Sequence, residues 1–206
     1  KTVSKIKYTK TELKAQNDAL KRFQRFLPML QLKKQQLQAE IAAITARIDE
    51  VTVRETAARR ALDAWVALFA EQDEALDALI RVERVNTGTS NIAGVTIPIY
   101  KGIDVARATL DLFATPAWYD NAAESLTAIL SLKAERLVLE RQRELIFHEL
   151  TTTSQRVNLF EKIKIPECKE NIRIIRIAIG DEQTAAVTRG KIAKGRANQP
   201  QQEDAA

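Results

Sequence analysis

Very few residues in this chain are equipped for chemistry. His148 is the single histidine and Cys168 the single cysteine. A Cys–His nucleophilic pair needs the two side chains within hydrogen-bond reach. These two stand twenty residues apart on one helically patterned arm, which separates them by ~30 Å along the axis. His148 therefore reads as a solvated or packed helix residue, and Cys168 as a small apolar residue on a buried seam. A zinc site would have to be built almost wholly from carboxylates, against the preference of that ion for nitrogen and sulfur. Glu71, Asp73, Glu74 and Asp77 crowd one stretch. A calcium loop would alternate Asp, Asn and Gly in a turn, and these residues do not, so they read as a solvated face or a partner contact. Gly88, Gly94 and Gly102 lack the G-x-G-x-x-G spacing, and no G-x-x-x-x-G-K-[ST] occurs. No catalytic, cofactor-binding or metal-binding residue is expected.

The elements that carry these residues are long helices. Six Gly and five Pro occur in 206 residues, most of them between Thr87 and Pro116 or after Ile165. Two long stretches thus have almost no helix breakers. From Leu13 to Leu79 a strict heptad can be laid on the sequence: Leu13, Gln16, Leu20, Phe23, Leu27, Leu30, Lys34, Leu37 and onward through Ile41, Ile44, Ile48, Val51, Glu55, Ala58, Leu62, Trp65 and Phe69. Sixteen of its twenty positions are apolar. A 3-4 spacing sustained that far predicts a coiled-coil seam, on a helix roughly 100 Å long at ~1.5 Å per residue. Pro28 lies off the seam and predicts a kink or joint.

Helical patterning fails after Ile80. Alternation at Ile80, Val82 and Val85, and again at Val95, Ile97 and Ile99, predicts a short β-hairpin. Asn86–Asn91, rich in Asn, Thr, Gly and Ser, predicts its turn. Pro98 implies an edge position. A lone two-stranded hairpin is marginal in water, so it must pack on the coil or on a partner. Thr115-Pro116 then reads as an N-cap with proline in the first turn. The second arm runs through Leu126, Leu130, Leu137, Leu145, Ile146, Leu150, Val157 and Phe160. Pro166 is expected to interrupt it before spacing resumes at Cys168, Ile172, Ile175, Ile179 and Ala186. Ile146, Val157, Cys168 and Ile179 repeat every eleven residues, a period that favours the opposite supercoil hand to the heptad, so the hand stays open.

The expected fold is all-α dominated: a long antiparallel two-helix coiled coil with a short central β-hairpin insertion. Residues 1–84 form the N-terminal arm, 85–115 the hairpin and loop insertion with a first strand beginning as early as residue 80, 116–195 the C-terminal arm, and 196–206 a disordered tail. Residues 1–40 carry net +7, 41–161 net −5 and 162–197 net +5, so folding the arms together predicts one basic end and one acidic end. Lys1–Lys10 is basic without an apolar core behind it, so no signal peptide is expected. The first residue is not Met, so the numbering is expected to omit part of the N-terminus. No run approaches the ~18 apolar residues of a membrane span. The basic end has few aromatics and no recognition motif, so no nucleic acid is expected. The narrow apolar stripe argues against insertion into a membrane surface.

The C-terminal arm carries something more specific. Arg156-Val-Asn-Leu-Phe-Glu161, then Ile165-Pro166, then Val187-Thr-Arg189 before Lys191 and Lys194, resembles the D-subunit family of V-type and archaeal-type rotary ATPases. Thr9-Lys-Thr-Glu-Leu13 and Leu32-Lys-Lys-Gln-Gln-Leu37 resemble the opening helix of that family. The likeness runs in order over nearly the whole chain and is weakest in the centre. It implies a non-catalytic central rotor shaft in a complex that couples ATP hydrolysis or synthesis to proton or sodium transport. ATP is handled by a hexamer of A and B subunits, which receives the end bearing both termini. A small F subunit clasps the side, and a cup-shaped C/d-type subunit on the membrane ring receives the other end. The implied location is cytoplasmic and peripheral to the membrane. The candidate hexamer contacts are Lys10, Lys14, Arg189, Lys191 and Lys194. Arg156, Asn158, Val95, Ile97 and Ile99 are candidates for contact with F or for packing on the shaft. The alternative is a generic coiled-coil scaffold or adaptor without a rotary role. A gamma-type shaft would carry a larger domain between its helices than this insertion of about thirty residues.

Overall fold

The structure, a computed structural model, describes residues 6–63, 80–107 and 118–197. In chain order it consists of helix α1 (Lys10–Asp63), strands β1 (Ile80–Ile92) and β2 (Val95–Arg107), helix α2 (Trp118–Leu159), a π-helical turn (Phe160–Lys164) and helix α3 (Ile165–Ala197). A pair of long helical arms with a two-stranded antiparallel hairpin between them in sequence is the architecture expected from the patterning. Trp65, Phe69, the Glu71–Asp77 carboxylates, the Thr115-Pro116 cap and the end of the tail lie outside the described residues.

α1 starts where its sequence supplies a cap. The Thr9 hydroxyl accepts the Glu12 backbone N–H at 3.2 Å, which satisfies one orphan donor of the first turn. All fifteen heptad positions from Leu13 to Leu62 are buried or half-buried. The seam therefore orients the helix along its described length. Pro28 sits inside α1, exposed, and the helix is continuous through it. Lacking an N–H, it donates no bond to the carbonyl of Gln24.

The chain divides into two compact units. One comprises Lys33–Thr153. Its core joins Leu37, Ile44 and Val51 of α1 to Leu139 and Ile146 of α2, with Ile97 of β2 inserted among them. Each such side chain contributes about 1.5–3 kcal/mol on burial. In this unit α1 and α2 are antiparallel, since Lys33 bonds Glu149 whereas Glu55 bonds Arg136. The hairpin is thus anchored on its own chain: Ile92, Ala93 and Val95 pack against this core, the Tyr100 hydroxyl lies 2.8 Å from Ser131 Oγ, and the buried Gln142 amide donates to the Pro98 carbonyl.

The hairpin differs from the sequence expectation. Each strand has thirteen residues, and Asn86–Asn91 is strand, not turn. The turn is Ala93-Gly94, closing the pair Ile92–Val95. Both residues have positive φ, 50° and 84°, as a two-residue type I′ turn requires. Asn91 steadies it by accepting the Gly94 N–H at 3.0 Å. Asn86 is drawn into the ladder, its amide donating to Asp104 at 2.8 Å. A register shift between Asn86 and Thr87 leaves Lys101 unpaired beside Gly102, whose φ of 142° is open to glycine.

The second unit comprises Lys1–Leu32 and Ser154–Ala206. Phe23 packs on Phe160 with ring centroids 5.0 Å apart. Val157, Cys168, Ile172 and Ile175 form its buried stripe. The expected interruption at Pro166 does not occur. A proline inside a helix clashes with the carbonyl four residues back. The π turn widens the helix just ahead of it, and Ile165 N–H bonds the Phe160 carbonyl five residues back. The eleven-residue step from Val157 to Cys168 contains this turn, so it is not an undisturbed supercoil repeat. Two other stripe assignments fail: Leu137 is 52% exposed, and Ala186 is exposed as well.

Candidate functional site

The residues with catalytic potential are dispersed. His148 is exposed on α2. Cys168 is 5% exposed on α3. Burial first, and then the Glu167 charge, push its thiol pKa up, against a partial offset from Lys164. A thiol held in its neutral form is a poor nucleophile. Among the described residues no three His, Cys, Asp or Glu are grouped to hold a metal. No described helix is long and apolar enough to cross a membrane. The features that stand out are surfaces for macromolecular contact and one buried ion network.

Lys10 and Lys14 are exposed on the first turns of α1, and Arg189, Lys191 and Lys194 are exposed on the last turns of α3. Lys10, with Tyr8 and Thr9, shares a groove with Ile179, Glu182 and Ala186 of α3. Arg189 follows Ala186 by less than one turn. None of the five cations forms an ion pair among the described residues. From Gly180 to Arg196 every residue of α3 is exposed, and Val187 and Ile192 are 59% and 53% exposed. This stretch is ordered helix with apolar side chains in water.

The remaining candidates separate. Arg156 and Asn158 are exposed on the last turn of α2, and the Val157 between them is buried. Ile97 is 3% exposed and belongs to the core, Val95 is half-buried against it, and Ile99 is 41% exposed. Alternation puts Ile97 and Ile99 on one face of β2, and only Ile97 is enclosed. An apolar groove absent from the sequence reading runs between hairpin and α2, lined by Val82, Val85, Pro98 and Leu137, with Lys133 and Arg141 beside them. Its spacing gave no sign of this, because Leu137 follows Leu130 by a heptad step yet is 52% exposed.

Sequence reasoning also passed over Glu55 and Arg136. Glu55 occupies a heptad position and is 5% exposed. One carboxylate oxygen accepts Arg136 Nε at 2.9 Å and the other accepts Arg59 Nη2 at 2.7 Å. Arg136 also donates to Glu140 at 2.7 Å. Burial pushes the Glu55 carboxyl up, but the hydrogen bonds and charges of Arg136 and Arg59 outweigh it, and the net shift is down. Arg136 moves up in turn, chiefly through its bond to Glu55. A charged residue on an apolar seam was the available signal, because a buried charge must find a partner.

Comparison with known proteins adds a second line of observation. The sequence profile of the family described as the D subunit of ATP synthase matches residues 12–195. The V-type ATP synthase D subunit of Borreliella burgdorferi is 45% identical over 192 residues, covering 93% of this chain and 95% of that protein. The proteins of the same description from Chlamydia caviae and Chlamydia felis are 31% and 32% identical over 203 residues, 97% of each chain.

Proposed function

Because the chain belongs to the ATP synthase D-subunit family, we propose that it is the central-stalk shaft of a V/A-type rotary ATPase or ATP synthase. The observation that carries this reading is a family match spanning both arms and the hairpin in one order. The physics of the chain supports it. A shaft needs continuous packing more than a pocket, and α1 supplies a seam without a gap along its described length. Two unlike arms also give the asymmetry that would drive three equivalent catalytic sites through different states in turn.

In this reading the chain performs no chemistry. ATP is bound and turned over by the A and B subunits, and the chain conveys torque between them and the membrane ring. It acts on the cytoplasmic side, peripheral to the membrane, and the ring meets it through a cup-shaped C/d-type subunit. Lys10, Lys14, Arg189, Lys191 and Lys194 face the inner surface of the hexamer. Exposed Val187 and Ile192 on the same helix end support a partner there. The F subunit contacts the flank, where Arg156 and Asn158, or Ile99 with the Val82–Leu137 groove, offer exposed side chains.

Co-purification tests the reading. Recovery of the tagged chain with A-, B- and F-type subunits and ATP-driven rotation of the assembled complex are expected. Recovery as homodimers alone would replace the rotor with a scaffold. Neutralising the five basic residues should weaken assembly with the hexamer and flatten its salt dependence. Unchanged assembly across a salt series would remove the hexamer contact assigned to them.

A further inference from the structure

Three ion pairs tie α1 to α2 across the Lys33–Thr153 unit: Lys33 to Glu149, Glu55 to Arg136, and the longer Arg54 to Glu135. Their positions do not match. From the first pair to the second, α1 advances twenty-two residues while α2 retreats only thirteen. Antiparallel helices of equal rise would move by equal numbers. The difference of nine residues amounts to ~13 Å along the axis at ~1.5 Å per residue. Packed helix axes lie ~8–10 Å apart, so part of each side chain's length is spent crossing the gap. Shared between the two pairs, the mismatch inclines them in opposite senses. Glu149 lies toward the C-terminal end of α1 from Lys33, and Arg136 lies toward the N-terminal end of α1 from Glu55.

We propose that Lys33–Glu149 and Glu55–Arg136 are oppositely inclined struts that fix the axial register of α1 against α2 in both directions. Sliding α2 toward the C-terminal end of α1 stretches the first strut and slackens the second. Sliding it the other way does the reverse. The apolar core alone defines register less sharply, because heptad packing recurs when a helix slips by a whole heptad. A buried polar contact on the seam penalises such slips, since it leaves a charge unpaired. Arg54–Glu135, at 3.8 Å and half exposed on the arginine side, adds little. Twisting a two-helix coil shears one strand past the other, so struts of both inclinations stiffen it against torque of either sign. That consequence rests on the shaft reading above. The register lock itself rests on geometry.

The test uses the full isolated chain, so its outcome does not depend on assembly into a rotary complex. Spin labels are placed on cysteines introduced at the exposed positions Gln38 and Lys133, with Cys168→Ala, and their separation is read by pulsed dipolar EPR. Lys133 lies toward the C-terminal end of α1 from Gln38, so axial sliding changes the distance. Glu55→Met with Arg136→Met removes one strut without stranding a charge, and the distance should shorten. Lys33→Met with Glu149→Met removes the other, and the distance should lengthen. Both shifts should stay well below one helical turn, ~5.4 Å. The single variants Arg136→Gln and Lys33→Met should shift in the same respective directions if a double variant melts. Shifts of the same sign from the two strut deletions, or no shift from either, would overturn the proposal.

Discussion

The two compact units solve the same problem with different materials. In Lys33–Thr153 the helices enclose Leu37, Ile44, Val51 and Ile146, each at most 2% exposed, and the hairpin closes over them. In the unit of Lys1–Leu32 and Ser154–Ala206 the buried stripe ends at Ile175, Ile179 is half-buried, and all of α3 from Gly180 to Arg196 faces water. The first unit holds its shape by its own packing. The far end of the second is helix with little tertiary support, and tertiary packing supplies most helix stability in proteins. One unit is complete in its own packing, and the other is not.

Core truncation tests this contrast most strongly. Ile44→Ala or Ile146→Ala should cost about 2–5 kcal/mol, read from urea unfolding of the isolated chain. Val187→Ala or Ile192→Ala should change that stability by no more than about 0.5 kcal/mol. Equal losses from the two sets would erase the distinction between the units. Next in size is Glu55→Ala, expected to cost about 1–3 kcal/mol, less than a wholly buried pair because Arg136 is a quarter exposed. This contribution depends on pH. A depressed pKa in the folded chain means that the folded state binds fewer protons than the unfolded one. The stabilisation is therefore full above the ordinary carboxylate pKa and is lost as pH falls through the folded value. Glu55→Gln should flatten the acid limb of the stability profile, and a limb of unchanged slope would show that other groups set it.

Backbone substitutions sharpen the comparison further. Gly94→Ala places a Cβ at φ 84° with nothing within 4 Å of it, so conformational strain alone should cost about 1–2 kcal/mol, visible as a lower melting temperature. Gly180→Ala and Gly190→Ala also meet nothing within 4 Å and lie in a helix. Each should add up to about 1 kcal/mol of helix propensity, measured as slower amide exchange confined to the end of α3. Global stability should scarcely move, because that end is not part of the cooperative core.

The first arm was legible in the sequence because its information is redundant. Fifteen described seam positions repeat one message, and even Gln16, Lys34 and Glu55 obey the burial while breaking the composition. The hairpin was legible as a hairpin but not in its turn. Asn86–Asn91 has turn-forming residues, yet Thr87, Thr89 and the Asn86–Asp104 bond suit them to a ladder. The real turn uses Ala93, a residue with no compositional preference for positive φ. Pro166 announced a disturbance, and its sequence could not say whether the helix would stop or widen. The contact surfaces were the least legible. Leu137 is patterned for the inside and placed outside, because burial there depends on how the hairpin lies over α2, a matter of tertiary geometry that no local spacing encodes.

The π-helical turn at Phe160–Lys164 also bears on descent. It accommodates one residue more than an α-helical path of the same length requires. Such a turn lets a helix carry one more residue without rotating its whole downstream face away from its partner. Relatives that lack the extra residue should align with this chain through a one-residue gap near positions 160–164, with the counterparts of Val157 and Cys168 still facing inward on either side.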